Sequence, residues 1–256
     1  MRPPASKRWM ILAACLALAT PAYAFDWSEM LKGVIGKPAT PPTDAAASGI
    51  EALSATDINA GLKEALTRGA EAAVAQLGQP DGFFGNATLK IPLPPSLQKA
   101  EKAMRMVGMG KQADELVLSM NRAAEAAVPE AKTLLVDAVQ EMTLEDAKGI
   151  LAGGKTSATD FFRRKTEDKL AERFNPIVKS TTDQVGLARQ YNQYAGMAAQ
   201  FNLIDKEQAS VDQYVTREAL DRLYTVIGEK EAAIRANPLQ AGSDLLKKVF
   251  GAVMGK

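Results

Sequence analysis

Apolar residues recur along most of the chain at the three- and four-residue spacing of amphipathic helices. In residues 57–77, for example, Leu62 and Leu66 fall on one face, whereas Glu64 and Arg68 fall on the other and are spaced as a favourable i,i+4 ion pair. No run alternates with a period of two for long enough to predict a strand. The pattern predicts an all-α fold, an irregular multi-helix bundle of roughly seven to nine helices.

Proline and glycine residues divide the helical pattern into elements. Residues 80–86, in which two aromatics lie among Pro, Gly and Asn, predict a structured turn with Phe83 or Phe84 directed inward. Residues 90–95 (KIPLPP) must be extended, because the residue before a proline is pushed out of the helical region. The following helix is predicted to begin at the end of this stretch and to end at Gly108.

Helices are predicted almost continuously from residue 111 onward. Pro129 starts or kinks one of them, and Thr143 is the expected N-cap of the short helix that follows. Two Asn-Pro pairs, Asn175-Pro176 and Asn237-Pro238, are predicted to stop the helices that precede them, with a separate helix after the first pair. No segment of fixed length repeats, which excludes a solenoid.

The last amphipathic segment, residues 244–254 (DLLKKVFGAVM), carries lysines on its polar side. We expect it to pack on the bundle as the final helix. A helix of this kind can also lie on a membrane surface, so peripheral membrane contact through the C-terminal helix is the alternative.

The N-terminus has the three parts of a secretory signal peptide. Three basic residues are followed by an apolar run over residues 9–19 and by the small-residue pattern Ala22-Tyr23-Ala24. The apolar run is roughly half of the length that a membrane-spanning helix needs. We therefore predict that residues 1–24 are removed between Ala24 and Phe25 and that the protein is exported to the periplasm.

Cys15 gives the leader a second interpretation. Leu12-Ala13-Ala14-Cys15 resembles a lipoprotein processing site, and such processing would anchor the protein through a lipidated Cys15. The apolar run continues past Cys15, however, at the point where a lipoprotein normally becomes polar. This continuation favours ordinary cleavage after Ala24.

The remaining chain divides into two parts. Residues 25–52 combine a short amphipathic piece with a Pro/Ala/Thr linker, which cannot bury enough apolar area to offset the entropy of ordering it. Residues 53–256 are predicted to form a single helical domain, long enough to bury one sizeable core.

Composition removes most reaction chemistries. The chain contains no histidine, and its one cysteine lies in the predicted leader, so a mature protein would have no imidazole base, thiol nucleophile or disulfide. We accordingly expect no cofactor and no metal site. Removal of the leader lowers the basic residues from 31 to 28 against 30 acidic residues. A chain without a basic excess is not expected to bind nucleic acid.

One helical turn carries the main candidate for recognition. Asn121, Arg122 and Glu125 lie within a turn of each other, opposite an apolar stripe that includes Leu116 and Met120. We predict that the three side chains form an exposed interaction surface. The alternative is a solvated face with a weak ion pair.

A second candidate is a group of four acidic residues around the predicted helix joints near positions 143 and 156: Glu141, Glu145, Asp146 and Asp160. Two opposed carboxylates could hydrolyse an envelope polysaccharide. The alternative is that these carboxylates stabilise the positive ends of helices. Methionines 104, 106 and 109 resemble a thioether copper site, but methionine is also a routine gap filler in cores.

Ordered blocks along the chain resemble the bacterial domain of unknown function 4197 family. The blocks lie between about residues 53 and 251, and they include Gly61–Leu66, Asp81-Gly82-Phe83, Ile91–Pro94, Met120–Glu125, Phe174-Asn175-Pro176 and Ile234–Pro238. The resemblance implies an exported helical protein of Gram-negative bacteria and assigns no activity.

Two classes of function fit these observations. The first is a non-catalytic helical binding or interaction module of the envelope, whose partner is an envelope protein or an apolar ligand. The alternative is a carboxylate-dependent hydrolase that acts on an envelope polymer. The absence of histidine favours the first class over an enzyme.

Overall fold

The computed structural model describes residues 55–108, 110–200 and 210–237; the predicted leader, linker and C-terminal amphipathic helix lie outside the described residues. The described residues contain eight α-helices and no strand, which confirms the all-α prediction. A short 3₁₀ helix, Val128–Glu130, joins the third helix to the fourth. The helices are α1 (Ala55–Leu77), α2 (Pro95–Met106), α3 (Gly110–Ala127), α4 (Ala131–Gln140), α5 (Leu144–Ala152), α6 (Ser157–Thr182), α7 (Gly186–Gln200) and α8 (Val211–Ala236).

Helices α6 and α8 form the centre of the packing. Helix α8 packs along α6, α3 lies against both of them, and α1 packs on α8 and α4. The core between these helices is built from large side chains that are almost completely buried, among them Leu116, Met120, Phe161, Phe162, Phe174, Leu223 and Tyr224. Helix α3 also contacts α2 and α7, and eight of its residues are buried.

Residues 78–94 connect α1 to α2 without forming a helix, and we call them the connecting segment. Phe83, Ile91 and Leu93 of this segment are buried in the core, which confirms the inward aromatic. Residues 90–94 are not helical, and Pro94 has an extended backbone with a ψ of 145°. Asp81 has a φ of 66°, in the left-handed region that non-glycine residues rarely adopt. A side chain at Gly82 would place its Cβ 2.5 Å from the Leu77 carbonyl oxygen, so only glycine fits there.

The prediction that Asn175-Pro176 stops a helix is wrong. Helix α6 runs through Pro176 to Thr182, and the stretch predicted as one later helix is divided between the end of α6 and α7. Phe174 and Val178 on either side are completely buried, whereas Pro176 lies on the exposed face. Core packing therefore holds the helix together despite the hydrogen bond that proline removes.

Three other predicted helix boundaries, at Pro95, Gly108 and Thr143, are confirmed. Helix α2 begins with Pro95, and Gly108 follows it with a φ of 84°. Thr143 caps α5 in a capping box, in which its hydroxyl accepts from the Asp146 amide and the Asp146 carboxylate accepts from the Thr143 amide. Among the described helices, none combines the length and the apolar character required to cross a bilayer.

Candidate functional site

Two of the three residues predicted to form an exposed interaction surface on α3 are buried, so the prediction is wrong for Asn121 and Glu125. Asn121 is 0 % exposed and Glu125 is 4 % exposed. Arg122 remains partly exposed, with 39 % of its side chain accessible. The physical reason is that the connecting segment lies over this face and needs hydrogen-bond partners that no strand supplies.

The Asn121 side chain binds both the backbone amide and the backbone carbonyl of Ile91, as a neighbouring β-strand would. Its Oδ1 accepts from the Ile91 amide at 2.8 Å, and its Nδ2 donates to the Ile91 carbonyl at 2.9 Å. The same Nδ2 donates to the Val117 carbonyl of its own helix at 2.7 Å. Both backbone polar groups of Ile91, a completely buried residue, are thereby satisfied.

Glu125 holds the other end of the connecting segment. Its Oε1 accepts from the amides of Phe83 and Phe84, each at 3.1 Å. Its Oε2 accepts from Arg122 Nη1 at 2.6 Å, and Arg122 Nη2 donates to Asp81 at 2.8 Å. The three predicted residues therefore do act as a unit, but their common partner is the segment of their own chain.

Two side chains of α8 also bind the connecting segment. Tyr214 donates its hydroxyl to the Pro92 carbonyl at 3.3 Å, and Arg222 Nη2 donates to the Lys90 carbonyl at 3.3 Å. Burial raises the pKa of Tyr214 to about 12. Sequence reasoning missed both residues. Their spacing of eight places them on one face of α8, but their partners lie more than 120 residues away in sequence.

An open cleft of about 730 Å³ lies where the connecting segment, α2, α3 and α8 meet. Its volume is in the range of small-molecule sites, about 300 to 1,000 Å³. Its walls combine apolar side chains with three cations and two carboxylates: Phe84, Ala87, Lys90, Pro92, Leu93, Gln98, Glu101, Arg105, Asp114, Val117 and Arg222.

The three cations of the cleft have different partners. Arg105 Nη2 binds both Glu101 and Asp114, at 2.7 Å each, and this guanidinium lowers the pKa of Asp114. Lys90 places its ammonium 4.2 Å from the centroid of the Phe84 ring. Arg222 donates to Glu218 at 2.6 Å, while its buried Nε finds no hydrogen-bond partner within the part of the chain that the structure describes.

The four candidate carboxylates near positions 143 and 156 fit the helix-stabilising alternative. Asp146 and Asp160 bind their own helix starts, through Thr143 and Thr156. Glu141 and Glu145 are exposed. Across residues 55–108, 110–200 and 210–237, no three Asp, Glu, Cys or His side chains are grouped so that they could hold a metal ion. Met106 is 82 % exposed at the end of α2, which rules out a gap-filling role in the core.

A second buried carboxylate, which sequence reasoning also missed, joins α8 to the start of α6. Glu231 accepts from the amides of Ala158 and Thr159 at 3.0 and 2.9 Å, and Arg235 donates to the Ile150 carbonyl at 3.0 Å. An apolar cavity of about 30 Å³ adjoins this contact. It has room for about one or two waters and none for a larger ligand.

The fold and the cleft define a class: an all-α protein with a mixed polar and apolar cleft of small-molecule size. Residues 52–251 match the model of one family, described as "Protein of unknown function (DUF4197)", and the chain belongs to that family. The resemblance inferred from the sequence blocks is thereby confirmed. No curated protein and no solved structure matches the chain.

Proposed function

We propose that this protein is an exported, non-catalytic binding module of the bacterial envelope and that the cleft between the connecting segment and α2, α3 and α8 is its binding site. Export is supported by the signal-peptide pattern of residues 1–24. The binding role is supported by the cleft volume of about 730 Å³ and by its mixed lining.

The observation that supports the proposal most is that side chains of α3 and α8 hold the connecting segment, which forms one wall of the cleft, in place. Asn121, Glu125, Tyr214 and Arg222 bind backbone groups of the connecting segment at residues 83, 91, 92 and 90. A wall that is ordered before the ligand arrives lowers the entropic cost of binding. The buried polar groups of α3 and α8 thus serve recognition indirectly, because they shape the site.

The hydrolase alternative fits the cleft less well. Glu101 and Asp114 do lie close together in it, because both bind the same nitrogen of Arg105. Hydrolysis of a glycoside requires one carboxylic acid that stays protonated near neutral pH. Arg105 has the opposite effect on Asp114, because its hydrogen bond lowers the pKa of that carboxyl.

The binding role can be tested by native mass spectrometry of protein purified from the periplasm. We expect a non-covalently bound compound in the wild type and its loss in Ala87→Trp, which fills the cleft from its exposed wall. The matched control is Ala126→Trp, because Ala126 is exposed on α3 and is not part of the cleft lining. An identical bound fraction in wild type and Ala87→Trp, or no bound compound at all, would contradict the proposal.

A further inference from the structure

The turn between α2 and α3 carries the two most exposed large apolar side chains of the described residues. Met106 and Val107, which we call the apolar tip, are 82 % and 72 % exposed, whereas Leu144 and Leu118 follow with 42 % and 40 %. Gly108, directly after the tip, has a φ of 84°, and a Cβ added there would meet nothing within 4 Å. The apolar tip therefore projects into open space.

Two lysines bracket the apolar tip along the chain. Lys102 precedes Met106 by four residues and so lies on the same face of α2. Lys111 is the second residue of α3, in its first turn. Both lysines are exposed, and neither forms an ion pair with another of the described residues. The tip thus combines a protruding apolar surface with a free positive charge on each side.

The acidic residues of this region do not neutralise the two lysines. No acidic residue occurs from 102 to 113. Glu101 and Asp114, at the ends of that stretch, both bind Arg105 at 2.7 Å. Glu115 lies one turn beyond Lys111 and forms no ion pair with it in the part of the chain that the structure describes. Within four residues of the tip in either direction, the unpaired charges are therefore both positive.

The shape and charge of this surface fit a lipid bilayer better than a protein. A stable protein interface buries about 800 Å² on each partner, which a projecting pair of side chains does not supply. In a symmetric contact between two copies, the lysines of one copy would face those of the other and repel them. A bilayer requires no complementary pocket, because its acyl chains rearrange around an inserted side chain, and its anionic headgroups attract lysines.

We propose that the apolar tip inserts into the surface of an anionic bilayer, with Met106 and Val107 at the acyl chains and Lys102 and Lys111 at the lipid phosphates. The contact is peripheral and reversible, because two side chains bury far less apolar area than a membrane-spanning helix. The inference goes beyond the binding role of the cleft and does not depend on it. It also assigns the membrane contact to a different part of the chain from residues 244–254.

The test is co-sedimentation of the full mature chain with phosphatidylglycerol vesicles at low ionic strength, compared with zwitterionic phosphatidylcholine vesicles. We expect binding to be at least about tenfold weaker to phosphatidylcholine. The double variant Met106→Glu, Val107→Glu should bind phosphatidylglycerol at least about tenfold more weakly than the wild type. The matched control Ala126→Glu, Leu144→Glu makes the same change in charge at exposed positions of α3 and α5 and should lose less than about threefold.

A second pair of variants tests the charges without adding acidic groups. Lys102→Gln, Lys111→Gln should weaken binding to phosphatidylglycerol by at least about tenfold, because each lysine contributes to the attraction by the anionic surface. The matched control Lys148→Gln, Lys155→Gln removes two exposed lysines away from the tip and should lose less than about threefold.

Absence of vesicle binding, or equal binding to the two lipids, would overturn the inference. So would a tip variant that binds like its control, and this result would place the contact elsewhere, for example in residues 244–254. Self-association without vesicles that only the tip variant abolishes, measured by analytical ultracentrifugation, would assign the tip to a second copy instead. Thermal unfolding of each variant at the wild-type temperature excludes a folding defect, and the lysine variants decide if the tip variant fails this check.

Discussion

At the scale of single residues, three buried polar side chains supply hydrogen bonds that a second strand or a helix cap would otherwise supply. Asn121, Glu125 and Glu231 are at most 7 % exposed, and all three bind backbone amides of distant segments. Burial of a polar group is costly unless it is paired, and here every pairing is made. These side chains stabilise the fold, and their substitution should lower the free energy of unfolding.

The substitution Glu125→Gln tests this expectation. The amide keeps the shape of the side chain but removes the charge that Arg122 and two backbone amides share, so we expect a loss of about 2 to 4 kcal/mol in the free energy of unfolding. Urea unfolding gives the value. As a control, Glu71→Gln affects an exposed pair with Lys132 and should cost less than about 1 kcal/mol. A loss in Glu125→Gln as small as that in the control would show that Glu125 is not structural.

The sequence identified the three residues of the α3 cluster and their mutual reach, but not their burial. Asn121, Arg122 and Glu125 recur at helical spacing opposite the apolar stripe, and this pattern is typical of a solvated face. Periodicity cannot distinguish solvent from a non-helical segment that covers the face. Tyr214 and Arg222 were missed for a related reason, because nothing local to α8 indicates the carbonyls that they bind.

At the scale of whole elements, local chemistry located the starts of α2 and α5 but not the continuation of α6 through Pro176. Thr143 and Pro95 sit at helix starts as expected, because capping and the proline ring act on the first turn itself. Pro176 was expected to end a helix and does not, because Phe174 and Val178 are fixed by the core. The continuation of α6 thus depends on tertiary packing, which the local sequence does not show.

The start of α5 can be tested by Thr143→Ala. Removal of the hydroxyl leaves the Asp146 amide without its acceptor and should cost about 1 kcal/mol in urea unfolding. The Thr143 contacts also lower the pKa of Asp146, so the variant should return that pKa toward its ordinary value, measurable by NMR of the carboxyl carbon. Because the pKa of Asp146 is lower in the folded chain, this carboxylate stabilises the fold at pH values above its ordinary pKa of 3.8. That stability is lost as the pH falls through the pKa of the folded state.

A matched control for this cap is Thr133→Ala, at an exposed position inside α4. Alanine has the higher helix propensity, so this variant should be neutral or slightly more stable. The capping interpretation fails if Thr143→Ala is equally neutral, or if the pKa of Asp146 does not move.

At the scale of the whole molecule, α8 carries two buried tyrosines whose ionisation bears on stability at high pH. It carries Tyr214 and Tyr224, which are 3 % and 1 % exposed. Burial raises the pKa of each hydroxyl from 10.0 to about 12. Tyr224 is also bound to Thr166 of α6 at 2.9 Å, so its hydroxyl lies at the main contact between helices.

We expect the free energy of unfolding to fall as the pH rises from about 10 to about 12. In that window the unfolded chain loses tyrosine protons that the folded chain keeps, so stability decreases with pH. Each tyrosine should contribute up to about 2 kcal/mol. Urea unfolding at several pH values measures the slope, and the double variant Tyr214→Phe, Tyr224→Phe should flatten it. An unchanged slope in the double variant would assign the loss to other groups.

The connecting segment also has a consequence for how the chain folds. Its hydrogen bonds join residues 30 and 42 positions apart through Asn121 and Glu125, and more than 120 positions apart through Tyr214 and Arg222. The contacts with Tyr214 and Arg222 span more residues than the contacts between α3, α6 and α8, and they cannot repay the entropy of loop closure until these helices have come together. We therefore expect the contacts between the segment and α8 to form last, so that the cleft is complete only in molecules that have finished folding.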